Sequence, residues 1–181
     1  MGATMSRGLC VAVIMSGLLA TGCFTQFNAH VQPDDKWQRE LQVSGKTMPS
    51  VEVDMVGVNA TEFQAYFGYS VTKWFTSGDS LYSSASKISK EFGKDHPVAA
   101  AVGRDADIWQ EWRNRRVTHL FVMAHLPGTF EDKPGDADPR RLILRLNTDN
   151  WPEYCWGNKD LHIFFNAGKV YCTDNYNSKP Q

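Results

Sequence analysis

Residues 118–126 constrain this chain more than any other stretch, because they alternate and yet are largely apolar on both sides. In an extended chain successive side chains point to opposite faces. That puts Leu120, Val122, Ala124 and Leu126 on one face and His119, Phe121, Met123 and His125 on the other. Such a strand has no side to offer water, so it belongs at the centre of a sheet covered above and below. Residues 51–58 set Val51, Val53 and Met55 against Glu52 and Asp54, then change parity at Val56 and Val58 around Gly57. The change predicts either a bulge at the glycine or burial on both faces. Residues 140–147 alternate Leu142, Leu144 and Leu146 with Arg141, Ile143 and Arg145. Residues 161–166 and 169–173, joined by Ala167 and Gly168, read as a hairpin.

Helical periods are fewer. Asp79 is placed to cap a helix reaching Phe92, with Leu81, Ala85, Ile88 and Phe92 on one face and Gly93 as the stop. A second helix is predicted from Asp107 to about Arg115. Its Ile108, Trp109 and Trp112 lie together, and Arg113, Arg115 and Arg116 sit near the carboxyl end, where cations suit the helix dipole. Residues 61–66 and 71–75 are aromatic pieces separated by Gly68 and ended by Ser77 and Gly78, which predicts helical turns. The fold expected is mainly β with inserted helices, a β-sandwich, with an α+β domain as the alternative.

The amino terminus has the parts of an export signal: Arg7, an apolar stretch over 8–19, and small residues before Cys23. The apolar stretch is too short to span a bilayer, which takes about 20 residues, and no later run reaches that length. Met1 and Met5 are both plausible starts. The run Leu19, Ala20, Thr21, Gly22, Cys23 resembles the cleavage site of bacterial lipoprotein precursors, although that family usually has Leu where Ala20 stands. The resemblance implies cleavage before Cys23 and acylation of its thiol, so that the lipid bilayer is one partner. More than one acyl chain gives stable attachment, each buried methylene contributing about 0.8 kcal/mol. The family's sorting rule, with Phe24 and not Asp after the cysteine, implies an outer-membrane anchor facing the periplasm. The alternative is ordinary signal cleavage nearby, with Cys23 incidental.

Residues 24–48 are polar, lack a sustained apolar period and contain the breakers Pro33, Asp34 and Asp35, with Pro49 just beyond. They read as a tether holding the domain a few tens of ångströms from its anchor, at about 5–6 Å times the square root of residue number. The expected division is a signal peptide over 1–22, a flexible tether over 23–49, one globular β-rich domain over 50–177 and a tail over 178–181.

Loss of residues 1–22 removes Arg7 and no acidic residue, leaving 18 basic and 20 acidic side chains. That balance gives no reason to expect nucleic acid as a partner. Cys10 leaves with the signal and Cys23 carries lipid, so Cys155 and Cys172 remain for the mature domain. In an oxidising compartment they are expected to form a disulfide, contributing roughly 3 kcal/mol. The alternative is two buried thiols.

Chemistry is harder to find. The chain has no nucleophile elbow, phosphate-binding loop, paired-histidine zinc helix or calcium loop of the required spacing. His119 and His125 share a strand face but stand six residues apart, roughly 20 Å along a strand, too far to share a metal. Glu131, Asp132, Asp136 and Asp138 offer the oxygens calcium prefers, but a solvated loop is the plainer reading. No catalytic residue, metal or cofactor is expected. Trp151 and Trp156 flank Pro152 and are candidate interface anchors, with ordinary packing as the other reading.

The order of parts is similar to the outer-membrane lipoprotein subunit of type VI secretion systems. Those parts are the lipid-site cysteine, a tether, a strand ending in Asn59, an aromatic stretch from Trp74 and Phe75 to Leu81 and Tyr82, the strand Phe121 to Ala124, and a closing hairpin. The resemblance implies a transthyretin-like β-sandwich with added helices, and a protein that grips the periplasmic end of an inner-membrane partner. Two functions follow. One is an envelope lipoprotein that binds another protein without catalysis. The alternative is an envelope enzyme or small-ligand-binding protein whose site gathers scattered residues such as His119, His125, Asp138, Arg141 and Arg145. Convergence of those residues in a pocket would favour the second.

Overall fold

The doubly apolar strand is covered on both faces, by a second sheet on one side and by short helices on the other. The computed structural model describes residues 27–146, 156–157 and 160–172. In chain order it begins with β1 (Asn28–Pro33), α1 (Asp35–Val43) and β2 (Val51–Asn59). Three short helices follow, α2 (Phe63–Phe67), α3 (Val71–Trp74) and α4 (Ser80–Ser84), and then β3 (Lys87–Phe92) and β4 (Ala100–Val102). The rest is α5 (Asp107–Asn114), β5 (Val117–Ala124), a 3₁₀ turn (Gly135–Ala137), β6 (Arg141–Arg145), β7 (Trp156–Gly157), β8 (Asp160–Phe165) and β9 (Val170–Cys172).

One sheet has the order β3-β2-β5-β6 and is antiparallel throughout. The other runs β4-β1-β8-β7, with β9 also on β8, and its central pair, β1 and β8, is parallel. The inner faces of the two sheets form one core. Val53, Met55, Leu120, Val122 and Ala124 face Ala29, Val31, Leu161, Ile163 and Phe165, and α5 adds Trp109 and Trp112. Each tryptophan has a hydrogen-bond acceptor, as a buried indole N–H requires: Trp109 donates to the Gly103 carbonyl at 2.7 Å and Trp112 to the Ser86 hydroxyl at 2.8 Å. The outer face of β2 and β5 makes a second core, in which Val56, Val58, Phe121 and Met123 meet Tyr66 and Trp74 from the short helices. The parity change around Gly57 is therefore burial on both faces, while the irregular register falls later, between Val58 and Asn59. Gly57 faces Trp112 so closely that an added Cβ would lie 2.5 Å from the indole nitrogen.

The β-sandwich is what the chain forms. Two local expectations fail. The stretch read as a tether contains β1, an interior strand of its sheet with Ala29 and Val31 buried, and α1, whose Trp37 packs into the same core. Its outward residues, Asn28, His30 and Gln32, are polar, which hides the alternation. The helix read from Asp79 to Phe92 is a helix only over α4. Asp79 does cap it, accepting from Tyr82 N–H at 2.9 Å. After Ala85 the chain extends and pairs with β2, Ile88 opposite Met55 and Phe92 opposite Val51. Cross-strand pairing outweighs a helical spacing that happens to be present. Among the described residues no helix is long and apolar enough to cross a membrane.

Candidate functional site

Of the polar residues considered from sequence, His119 stands opposite Arg145 across β5 and β6, Asp138 and Arg141 share the start of β6, and His125 stacks on Phe75. Asp138 is fully buried, and the Arg140 side chain, also buried, donates to it from Nε at 3.0 Å and from a terminal nitrogen at 2.8 Å. The same guanidinium reaches Asp132 at 2.5 Å and the Thr72 hydroxyl at 2.9 Å. Asp132 in turn accepts from the Ser70 hydroxyl at 2.6 Å and from Thr72 N–H at 2.9 Å. This network fastens the acidic loop to the start of α3. Burial opposes ionisation of Asp132, but those hydrogen bonds outweigh it and lower its pKa to about 2. Burial likewise opposes ionisation of Asp138, and Arg140 more than offsets it. Of the acids weighed for calcium, Asp132 and Asp138 thus belong to an arginine clamp, Asp136 to the 3₁₀ turn, and Glu131 faces Lys133 at 3.8 Å.

Arg141 is committed elsewhere, donating to the backbone carbonyls of Phe67, at 2.6 Å, and Tyr69. His119 packs on Phe63 with ring centroids 4.5 Å apart, and His125 stacks on Phe75 at 4.9 Å. Burial first, and then Arg145, lowers the pKa of His119. Hollows of about 300 Å³ beside α4 and about 350 Å³ beside α1 are lined by none of His119, His125, Asp138, Arg141 or Arg145. Neither hollow therefore gathers the five residues that an enzyme or ligand-binding reading invoked. Cys23, Trp151 and Cys155 lie outside the described residues. Trp156 pairs through its backbone with Leu161 in the β7–β8 ladder. Cys172 ends β9, half-buried against the core.

A different group does converge, on the outer face of the β1–β8 sheet. The parallel register sets His30 directly opposite His162 and Asn28 opposite Asp160. Because outward positions alternate, His30, His162 and Asp160 share one half-exposed face. The imidazole planes are 9° from parallel with centroids 4.9 Å apart. His30 Nε2 lies 3.8 Å from Asp160 Oδ2. The other carboxylate oxygen accepts from the Asn28 amide at 2.8 Å, and Asn28 Oδ1 accepts from Arg104 N–H at 2.9 Å. Burial, and then the neighbouring His30, lowers the pKa of His162, with Asp160 opposing. One nitrogen of each histidine and one oxygen of Asp160 lie within 4.8 Å of one another. His119 and His125, the pair weighed and set aside from sequence, are not the pair the fold brings together. The available signal was the outward alternation of Asn28, His30 and Gln32, but the register that brings His162 opposite His30 is a property of the sheet.

No family model and no curated protein matches the chain. Solved structures that align with it include the following. A chain of a structure described as a type VI membrane complex is 13% identical, with a TM-score of 0.47, covering 81% of this chain and 95% of that one. Lip from Serratia marcescens, a membrane-bound component of the type VI secretion system, is 12% identical with a TM-score of 0.42, covering 81% and 97%. The type VI secretion lipoprotein TssJ1 from Pseudomonas aeruginosa is 12% identical with a TM-score of 0.29, covering 80% and 89%.

Proposed function

We propose that this protein is a lipid-anchored lipoprotein of the bacterial cell envelope that binds another protein without catalysis. The narrower proposal is the outer-membrane lipoprotein subunit of a type VI secretion system, gripping the periplasmic end of an inner-membrane partner. The observation that carries the reading is the short sequence distance between the lipid-site cysteine and the folded domain. Phe27, four residues after Cys23, is already buried in the core. Four residue steps span at most about 14 Å when fully extended, so an acylated Cys23 holds the sandwich against the bilayer surface.

Two further points support it. Four of the five polar side chains on which an enzyme reading depended hold loops and rings in place, Asp138 with Arg140, Arg141 on the Phe67 carbonyl, and His119 and His125 on Phe63 and Phe75. The order of sequence parts that resembles the secretion lipoprotein implies a sandwich with added helices, and two sheets with a helical outer layer fit that implication. The disulfide between Cys155 and Cys172 belongs to the same proposal, supported by Cys172 being bonded as a half-cystine.

The test is metabolic labelling with a clickable palmitate analogue on the wild type and on Cys23→Ala, followed by membrane fractionation and affinity capture. Label that depends on Cys23, recovered with the outer membrane, is expected. Label that persists in Cys23→Ala, or wild-type protein released as soluble, overturns the anchor. Capture should bring down an inner-membrane protein with a periplasmic domain. Capture without one removes the secretion-system reading and leaves the anchor standing.

A further inference from the structure

We infer that His30, Asp160 and His162 form a binding site for a divalent transition cation of the zinc class, clipping β1 to β8. The inference rests on the outer face of one sheet and holds whether or not Cys23 carries lipid.

The donor set decides the class of ligand. Two imidazole nitrogens and one carboxylate oxygen suit borderline cations such as Zn²⁺, whereas Ca²⁺ and Mg²⁺ favour all-oxygen sites. Three protein ligands leave a fourth tetrahedral position for water, as in zinc sites that keep an open position. Bond lengths of 2.0–2.1 Å place tetrahedral donors about 3.4 Å apart. The three donor atoms here lie within 4.8 Å of one another, so small side-chain rotations close the gap without moving either strand. The strands themselves fix the arrangement, since His30 and His162 are direct partners in a parallel ladder and Asp160 stands two residues before His162 on the same face.

A metal-binding carboxylate usually needs a neighbour to orient it. Asn28 supplies this, donating to Asp160 Oδ1 while the backbone N–H of Arg104 fixes the amide. Oδ2 is the oxygen turned toward His30. The side chains of His30 and Asp160 are each about a third exposed, 37% and 33%, so an ion can enter without the sheet opening. His96, paired with Glu91 at 3.4 Å and not among the three clustered ligands, serves as the internal control.

The experiment uses the full chain purified without a histidine tag, with Zn²⁺ as the probe in competition with a chromophoric chelator. One ion per chain is expected, with affinity at least tenfold weaker in His30→Ala and in His162→Ala, weaker in Asp160→Asn, and unchanged in His96→Ala. Zn²⁺ should also raise the unfolding temperature of the wild type and slow amide exchange in β1 and β8, because an ion that binds only the paired strands stabilises them by mass action. The histidine variants should lose that rise while keeping the wild-type circular dichroism. A wild type that takes up no Zn²⁺, or a His30→Ala, His162→Ala double variant that binds as tightly as the wild type, overturns the assignment.

Discussion

Replacing Trp74 with Phe tests how the helical layer is fastened to the sheet. Trp74 is completely buried, and its indole N–H donates to Asp54 Oδ2 at 2.8 Å. Asp54 is itself fully buried on β2. Its other partner is Lys87 at 3.9 Å, and Oδ1 makes no hydrogen bond in the described structure. A hydrogen bond to a charged group is worth about 1.5–3 kcal/mol. Lys87 still faces the carboxylate after the substitution, so the lower half of that range applies. The smaller ring forfeits roughly 1–2 kcal/mol more, at about 0.8 kcal/mol per methylene equivalent. Trp74→Phe should therefore cost about 3–4 kcal/mol, a fall in Tm of roughly 6–16 °C for a domain of this size. Urea unfolding followed by far-ultraviolet circular dichroism measures it. The sharper assay is the cycle with Asp54→Ala. If the indole and carboxylate act as a pair, the double variant should fall short of the summed single costs by more than about 1 kcal/mol. Additivity within about 0.3–0.5 kcal/mol, the range expected of independent sites, would refute the pairing.

Other consequences are simpler to read. Gly57→Ala drives a methyl group into the Trp112 ring and should destabilise by about 1–3 kcal/mol, the usual cost of overpacking, seen as a lower urea midpoint. The lowered pKa of Asp132, about 2 against the ordinary 3.8, stabilises the fold fully above pH 3.8 and is lost as pH falls toward 2. Acid unfolding should steepen across that window in the wild type and be shallower there in Asp132→Asn, and identical acid limbs would count against the clamp. Intact-mass analysis of the mature protein before and after reduction should differ by two hydrogens if Cys155 and Cys172 are bridged. Free thiols in protein taken from the envelope would remove the bridge.

The sheet was most legible where burial is two-sided. The alternation over 118–126 marks a strand with neighbours on both edges and cover on both faces, and β5 has both. The tryptophans of α5 declared themselves by spacing, and the closing hairpin by its turn. What escaped had local signals pointing elsewhere. The segment from Ala85 to Phe92 carries helical spacing, and only its pairing with β2 makes it β3. The segment from Asn28 to Pro33 presents polar side chains outward and ends in proline, so it resembles a linker until β8 is placed beside it. The histidine face depends on that same register between residues far apart in the chain. Periodicity within a single stretch carries no trace of such a pairing.

The parallel union of β1 with β8 also sets an order of events during folding. β1 is the first described strand to leave the ribosome, and its long partner follows 132 residues later, as Asn28 and Asp160 mark. The antiparallel sheet of β2, β3, β5 and β6 can assemble while the chain is still growing, but the other sheet cannot close until nearly all of it exists. In that interval β1 has only the three-residue β4 as an earlier-made companion, which leaves a strand edge open to pairing with the wrong chain. Such non-local closure is intrinsically slow. A truncation just before Asp160 would leave β1 in that state permanently, with one sheet formed and the other without its centre.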